Sequence, residues 1–379
     1  MKIGSKIDTK NTKNTVMAGL TRHDMQIVKR FFLGWRVKPA MTGILPLIVM
    51  NCCVCLLFSC TKQPPWYLTQ GEIFHTTAHF KYLYHKDLGA EIFARLDSFD
   101  WSLNPYNKQS IIYKVNHNEA VEVDDWFITV FNRAQAISRL TGGYYDITCA
   151  PLVNLWGFGF EKSDTVTPQM VDSILQFVGY QKVWLDGRKV VKSDPRVQLD
   201  MSSIAKGYAV DVVAELLDGY GIADYMVEIG GEVRTKGANP EGKGWCIEIL
   251  KPIDDVSGAQ QEFQKAVALE DYSLATSGNY RNFYVKDGKK IAHTINPLTG
   301  YPVVETLHAM SLLSVSILYP DCMTADAFAT ACMTLGMEKA RALADSIPHL
   351  DYLFIYSDAS GNLQEQQSRN FERYIVVPY

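Results

Sequence analysis

The sequence predicts an α+β fold of antiparallel sheets and packed helices, on three observations. Short strand-like runs joined by tight turns outnumber strand–helix–strand units, which favours hairpins over a parallel sheet. Helical periods of three and four recur between those runs. No Gly/Pro/Ser-rich linker divides the chain after residue 70, so the body is one compact unit or two interleaved ones. The 379 residues are 47% hydrophobic and 21% charged, enough apolar material for a large core and too much for wholesale disorder. No collagen, heptad or solenoid period is present.

The elements follow in order. Residues 61–70 read as a tether, because Pro64-Pro65 cannot continue a helix. Phe80, Tyr82 and Tyr84 alternate as in a strand. Leu88, Ile92, Leu96 and Phe99 mark a helix over 87–100, and Phe127 to Leu140 repeat that period over 124–140. Thr167-Pro168 opens a third helix, with Pro in the first turn. Asp186-Gly187 turns a hairpin between 182–185 and 189–192. A helix follows at 203–218. Strands are expected over 225–228, 245–250, 266–269, 283–285 and 290–295, with Asp287-Gly288 as a second hairpin turn. Residues 311–317 form a strand, 324–343 one long helix, and 352–355 a last strand before Ser360-Gly361.

The ends of the chain differ in charge. The first 59 residues hold nine of the 37 basic and two of the 41 acidic residues, so the chain from Cys60 onward carries a net charge of −11. Such a surface has no general affinity for a phosphate backbone, and nucleic acid is not expected as a partner.

Residues 1–59 read as an address. Ala40 to Ser59 is twenty residues without a charge, preceded by Lys29, Arg30, Arg36 and Lys38. It is long enough to span a bilayer, and it also has the basic and apolar regions of a signal peptide. Leu57-Phe58-Ser59-Cys60 resembles a bacterial lipobox, which implies cleavage before Cys60 and lipidation of its sulfur. On either reading the body lies outside the cytoplasm. Met17, Met25 and Met41 are alternative starts. Cys149, Cys246, Cys322 and Cys332 remain in the body without CxxC spacing, so a zinc knuckle is unsupported. They read as buried thiols, with a disulfide open in an oxidising compartment.

Four segments carry chemistry. Thr141–Gly159 (TGGYYDITCAPLVNLWGFG) follows a helix end, where glycines permit positive φ; alone it also reads as a cap followed by a core strand. Leu199–Asp211 (LDMSSIAKGYAVD) opens a helix whose free N–H groups, with Lys206, suit a phosphate group. It lacks the P-loop pattern and also reads as an N-cap with a surface Lys. Ala275–Arg281 (ATSGNYR) and Ala292–Gly300 (AHTINPLTG) place His293 beside an Asn-Pro turn; a lone His is weak evidence, and His75 and His79 read as structural. Thr324–Ala331 (TADAFATA) sets Asp326 and Thr330 on one helical face among small apolar residues. A carboxylate there needs a partner, either the helix N-terminus or a hard divalent cation such as Mg²⁺ or Ca²⁺.

In this order and spacing the segments resemble the ApbE family of flavin transferases, whose blocks run T-x-G-x-F-D-x-T…P-L-V-x-L-W-G-F-G, D-x-x-x-I-A-K-G-Y-A-x-D, L-x-G-G, A-T-S-G-x-Y, H-x-I-x-P-x-T-G and A-D-A-x-A-T-A. Ile229-Gly230-Gly231-Glu232 supplies the third block. The resemblance covers roughly 71–379 and implies an ApbE-like, T-fold-like body behind a signal peptide (1–59) and a tether (60–70). It implies an enzyme that binds FAD as substrate, uses Mg²⁺, transfers FMN to a Thr or Ser hydroxyl and releases AMP. The acceptor would be a flavoprotein subunit of a membrane redox complex or a related extracytoplasmic protein. Two alternatives stand beside it: an FAD pyrophosphatase that uses the same site and gives FMN and AMP, and a non-enzymatic flavin-binding lipoprotein, against which Asp326, Thr330, Lys206 and His293 argue.

The resemblance assigns roles residue by residue. Asp326, the Thr330 hydroxyl and the Ser203 carbonyl would bind Mg²⁺. Lys206 would meet the pyrophosphate or adenylate, and Asp200 a ribose or adenine. Tyr144, Tyr145 and Asp146 would line the cofactor. Tyr106 would stack on the flavin, and Ile295 and Ala329 would contribute mainly backbone. His293 would help activate the acceptor hydroxyl, with a carboxylate open as the alternative base. Phe74-His75-Thr76 stands where relatives read M-G-T, so an aromatic replaces the flavin-facing Met. Ser202-Ser203 replaces a frequent Gly pair, and Tyr145 a Phe.

Overall fold

The computed structural model describes residues 64–159, 165–253, 262–280, 282–286, 289–303, 311–358 and 360–376. The expected export segment, Cys60, Arg281 and the expected Asp287-Gly288 turn lie outside these residues. An eight-stranded antiparallel sheet forms the centre, in the order β1 (Trp66–Ile73), β2 (Thr76–Leu83), β5 (Tyr225–Ile229), β6 (Glu232–Lys236), β9 (Ser273–Gly278), β12 (Ser311–Tyr319), β13 (Asp351–Ser357), β14 (Leu363–Gln367). A second sheet orders β15 (Ile375–Val376), β8 (Phe263–Leu269) and β7 (Trp245–Leu250). Two hairpins stand apart: β3 (Val183–Asp186) with β4 (Lys189–Lys192), and β10 (Phe283–Lys286) with β11 (Lys289–Ala292).

Among the described residues the helices are α1 (Gly89–Leu103), α2 (Ile111–Asn116), α3 (Asp125–Leu140), α4 (Ala150–Leu155), α5 (Pro168–Leu175), α6 (Ser202–Gly219), α7 (Cys322–Leu335) and α8 (Met337–Ser346). None is long and apolar enough to cross a membrane. Local chemistry sets several starts. The Asp124 carboxylate accepts from Phe127 N–H at the head of α3, and the Thr167 hydroxyl from Met170 N–H at the head of α5, where Pro168 takes the first position.

Strand β13 shows how the layers are held. Tyr352 and Phe354 face the main core with the helices, while Leu353 and Ile355 face Ile249, Val267, Leu269 and Phe371 on the other side. Helices therefore cover one face of the large sheet and the small sheet covers the other. A strand buried on both faces reads as a continuous apolar run. Helix α7 is buried nearly all round, and Asp326 is its one charged residue.

Most expected elements are present, with four corrections. Trp66–Ile73 is a strand paired along its whole length with β2, so the folded body begins inside the expected tether. The helix expected over 324–343 is two, broken at Gly336, whose φ is 72°. Strand β11 ends at Ala292, and Ile295 instead makes an isolated bridge with Pro302. The four cysteines among the described residues are unpaired, and they are not all buried: Cys322 and Cys332 are, Cys149 is half-buried, and Cys246 is exposed on β7.

Candidate active site

An open cleft of about 1530 Å³ runs past the N-terminal end of α6, and it gathers residues from all four chemical segments. Lys206, one turn into α6, points its ammonium at Glu232 on β6, with Nζ to Oε2 at 2.8 Å. Glu232 is only 3% exposed. Burial would push the Lys206 ammonium down, and the carboxylates of Glu232 and Asp326 more than reverse this. The Glu232 carboxyl is raised by burial in spite of Lys206, and Asp326 likewise. Sequence reasoning gave Glu232 no role, because only the fold brings it to Lys206. The signal available was an acidic residue directly after Gly230-Gly231.

Asp326 accepts the Gly207 N–H at 2.9 Å on Oδ2. Four residues on, the Thr330 hydroxyl meets the Ser277 hydroxyl of β9 at 3.1 Å. Ser203, in the first turn of α6, donates its hydroxyl to the Tyr145 hydroxyl at 3.1 Å. Asp326, Thr330, Ser277 and Ser203 all line the cleft, an array of carboxylate and hydroxyl oxygens without thiol or imidazole. That donor chemistry fits a hard cation such as Mg²⁺. Ser277 is a further member that the sequence reading quoted but did not single out.

The first turn of α6 has no side-chain cap from its own N-cap residue, Met201, whose carbonyl instead accepts the Ile204 and Ala205 N–H groups at 3.1 and 2.8 Å. The Asp200 carboxylate accepts from Ser202 N–H at 2.8 Å, and Ser203 follows it along the cleft wall. The wall opposite holds Tyr144 and Tyr145. Tyr144 carries the Lys339 ammonium 4.5 Å above its ring, and Tyr145 is buried, which pushes its hydroxyl well up. Asp146 also lines the cleft, but its carboxylate is taken up locally. It accepts from Thr148 N–H and Oγ1 at 2.8 and 2.7 Å and from Tyr180 N–H at 2.5 Å.

At the other end, Phe74 sits in the β1–β2 turn with its ring edge-on to Phe99 at 6.0 Å. Phe74 and His75 both hold positive φ, 52° and 59°, the two-residue hairpin geometry that suits Gly or Asn. Tyr106 lines the mouth and is 60% exposed. Ile295 is buried at the cleft wall, whereas Ala329 lies wholly in the core.

His293 is half-buried just past β11, with the Phe158 ring edge-on at 6.3 Å. Its Nδ1 lies 3.1 Å from the Asn282 carbonyl. A carbonyl only accepts, so Nδ1 carries the hydrogen and Nε2 of the neutral ring is an acceptor. Burial lowers the His293 pKa below its ordinary 6.5 despite that bond, so the ring is neutral at neutral pH.

The ApbE family model matches residues 74–354, which include this whole constellation. The chain belongs to the ApbE family. It is 35% identical over 331 residues to the FAD:protein FMN transferase of Vibrio cholerae serotype O1, covering 84% of this chain and 96% of the relative. It is 37% identical over 319 residues to that of Haemophilus influenzae, covering 80% and 90%. Among solved structures, Flavin Transferase ApbE from Vibrio cholerae superposes with a TM-score of 0.71 at 34% identity, over 82% of this chain and all of that one. The apo form of Pseudomonas stutzeri flavinyl transferase ApbE gives 0.72 at 29%, over 84% and 100%. The ApbE fold is thus shared over nearly the full length of these relatives.

Proposed function

We infer that this ApbE protein transfers FMN from FAD to a Thr or Ser hydroxyl of an acceptor flavoprotein and releases AMP. The observation that carries this reading is the convergence, in one open cleft, of Lys206, Asp326, Thr330 and a neutral His293. In the transfer, the acceptor oxygen attacks the phosphorus bearing the riboflavin. The pyrophosphate P–O bond breaks, AMP leaves with its bridging oxygen, and the hydroxyl proton passes to a base. Asp326, Thr330 and Ser203 would hold Mg²⁺, which supplies positive charge to the pyrophosphate oxygens. Lys206 adds a second charge, held in place by Glu232. The positive end of the α6 dipole would favour the phosphate oxygens. Nε2 of His293 is a proton acceptor of suitable tautomer.

The test uses the purified protein with FAD, Mg²⁺ and a candidate extracytoplasmic flavoprotein. Intact-protein mass spectrometry should find an adduct of about 438 Da on the acceptor. Asp326→Ala should abolish both the adduct and AMP release, and full activity in that variant overturns the cation assignment. FMN and AMP without an adduct point to the hydrolase, and unchanged FAD to a carrier.

The same reading places the protein on the extracytoplasmic side of a bacterial membrane, anchored through Cys60, and takes its acceptor from the membrane redox proteins there. The basic residues before position 40, the uncharged run to Ser59 and the lipobox-like Leu57–Cys60 support it. Mass spectrometry of the protein recovered from membranes should find a lipid-bearing Cys60 as the first residue. A mature chain that keeps residues 40–59 replaces the lipid anchor with a helical one.

A further inference from the structure

Five polar contacts cross-link β6, α6 and α7 behind the cleft. On β6, Glu232 and Arg234 are two residues apart and so share a face. Glu232 pairs with Lys206 of α6, and Arg234 pairs with Asp211 of α6, Nη1 to Oδ1 at 2.7 Å. Asp211 is only 3% exposed and reaches on to α7. Its Oδ1 accepts from Cys322 N–H at 3.0 Å and its Oδ2 from Met323 N–H at 2.8 Å. In the reverse direction, Gly207 of α6 donates its N–H to Asp326 of α7. Each helix thus gives backbone donors to the other's buried carboxylate, one turn apart along each.

The two helices touch closely enough for this to be rigid. A Cβ on Gly207 would lie 2.4 Å from the Cys322 carbonyl oxygen and 2.7 Å from Asp326 Cβ. Asp211 itself does not line the cleft. It takes up the first two orphan amides of α7, while the Asp321 carboxylate accepts from Thr324 N–H at 2.8 Å. Without Asp211, two buried donors and the Arg234 guanidinium would lose their partner at once, a cost that α7 can relieve only by shifting. Such a shift carries Asp326 and Thr330 with it, since both lie within the next two turns.

We propose that Asp211 is a positioning residue of the reaction: with Arg234 it fixes the register of α7 against α6, and so holds Asp326 and Thr330 where a divalent cation and Lys206 act together. This rests on the cation reading above. Displacements of about 1 Å at such a site cost on the order of 10²-fold in rate.

The test measures Mn²⁺ binding by electron paramagnetic resonance, as a spectroscopic stand-in for Mg²⁺, with FAD turnover alongside. Asp211→Asn keeps the shape and one acceptor oxygen. It should weaken Mn²⁺ about tenfold and lower kcat at least tenfold, while the FAD affinity of the metal-free protein changes less than threefold. Arg234→Gln leaves the two amide contacts in place and should shift Mn²⁺ in the same direction by about threefold, which keeps the proposal testable if the first variant does not fold. Ile355→Val, in the core on the far side of the sheet, controls for lost stability and should leave Mn²⁺ binding unaltered. Wild-type Mn²⁺ affinity in a folded Asp211→Asn or Arg234→Gln protein overturns the positioning role alone, as does an equal loss in Ile355→Val. A wild-type protein that binds no Mn²⁺ overturns it together with the cation reading.

Discussion

His293 shows how much a single contact decides. Its bond to the Asn282 carbonyl assigns the hydrogen to Nδ1, and its burial keeps the ring neutral. A base acts above its pKa, and this pKa lies below 6.5. The acid limb of kcat/KM for FAD consumption should therefore have its midpoint below pH 6.5, with activity kept as pH falls to that value. His293→Gln should remove that limb and lower the rate by about 10²–10⁴-fold. A midpoint above 6.5, or an unaltered limb in the variant, shows that another group is the base. The position of His293 beside an Asn-Pro turn was legible in the sequence, but its tautomer was not, because Asn282 reaches it only through the pairing of β10 with β11. Glu232 and Ser277 were hidden for the same reason. Each takes its role from a partner far away in sequence, Lys206 and Thr330.

At the scale of elements, the legible ones carry their signal locally. Helix α3 has its period and its Asp124 cap, and the β3–β4 hairpin has Asp186-Gly187. Strands β6 and β9 were missed although they lie in the middle of the sheet. In β6 the charged side chains of Glu232 and Arg234 are matched by ion pairs, and β9 reads SLATSG, small and polar, with Ser277 and Thr276 bonded to neighbours. Neither shows apolar alternation, so tertiary pairing overrode local propensity. The contact between α6 and α7 is likewise invisible until Gly207 is seen against Cys322. Gly207→Ala places a methyl against backbone that cannot rotate away. It should cost about 1–3 kcal/mol in urea unfolding and reduce turnover further by displacing Asp326. Wild-type stability in that variant means that the helices can separate at this point, and the rigid contact argued above falls with it.

The whole molecule is larger at its N-terminal end than its chemistry suggests. The family match begins at Phe74, but the sheet begins at Trp66. Strand β1 pairs with β2 residue for residue from Trp66↔Leu83 to Ile73↔Thr76. Tyr67 stacks on Tyr82 at 5.8 Å, Trp66 meets Trp245 of the small sheet edge-on at 5.7 Å, and Phe93 of α1 packs under Gly71. The sequence hid this strand, because an edge strand is only half covered and its apolar alternation is correspondingly weak. Removing it would bare the hydrogen-bonding edge of β2 and uncover side chains there, at about 1.5–3 kcal/mol for each large apolar group exposed. A protein beginning at Cys60 should therefore unfold cooperatively and bind FAD like the full chain. One beginning at Phe74 keeps every residue of the cleft and should nevertheless lose the cooperative transition and associate through its bared strand, as size-exclusion chromatography with thermal denaturation would read. Wild-type unfolding in the shorter protein would show that β1 is dispensable to the fold. If β1 is required, the folded body begins at Trp66, and the few residues between Cys60 and Trp66 are all that would tether it under the proposed lipid anchor.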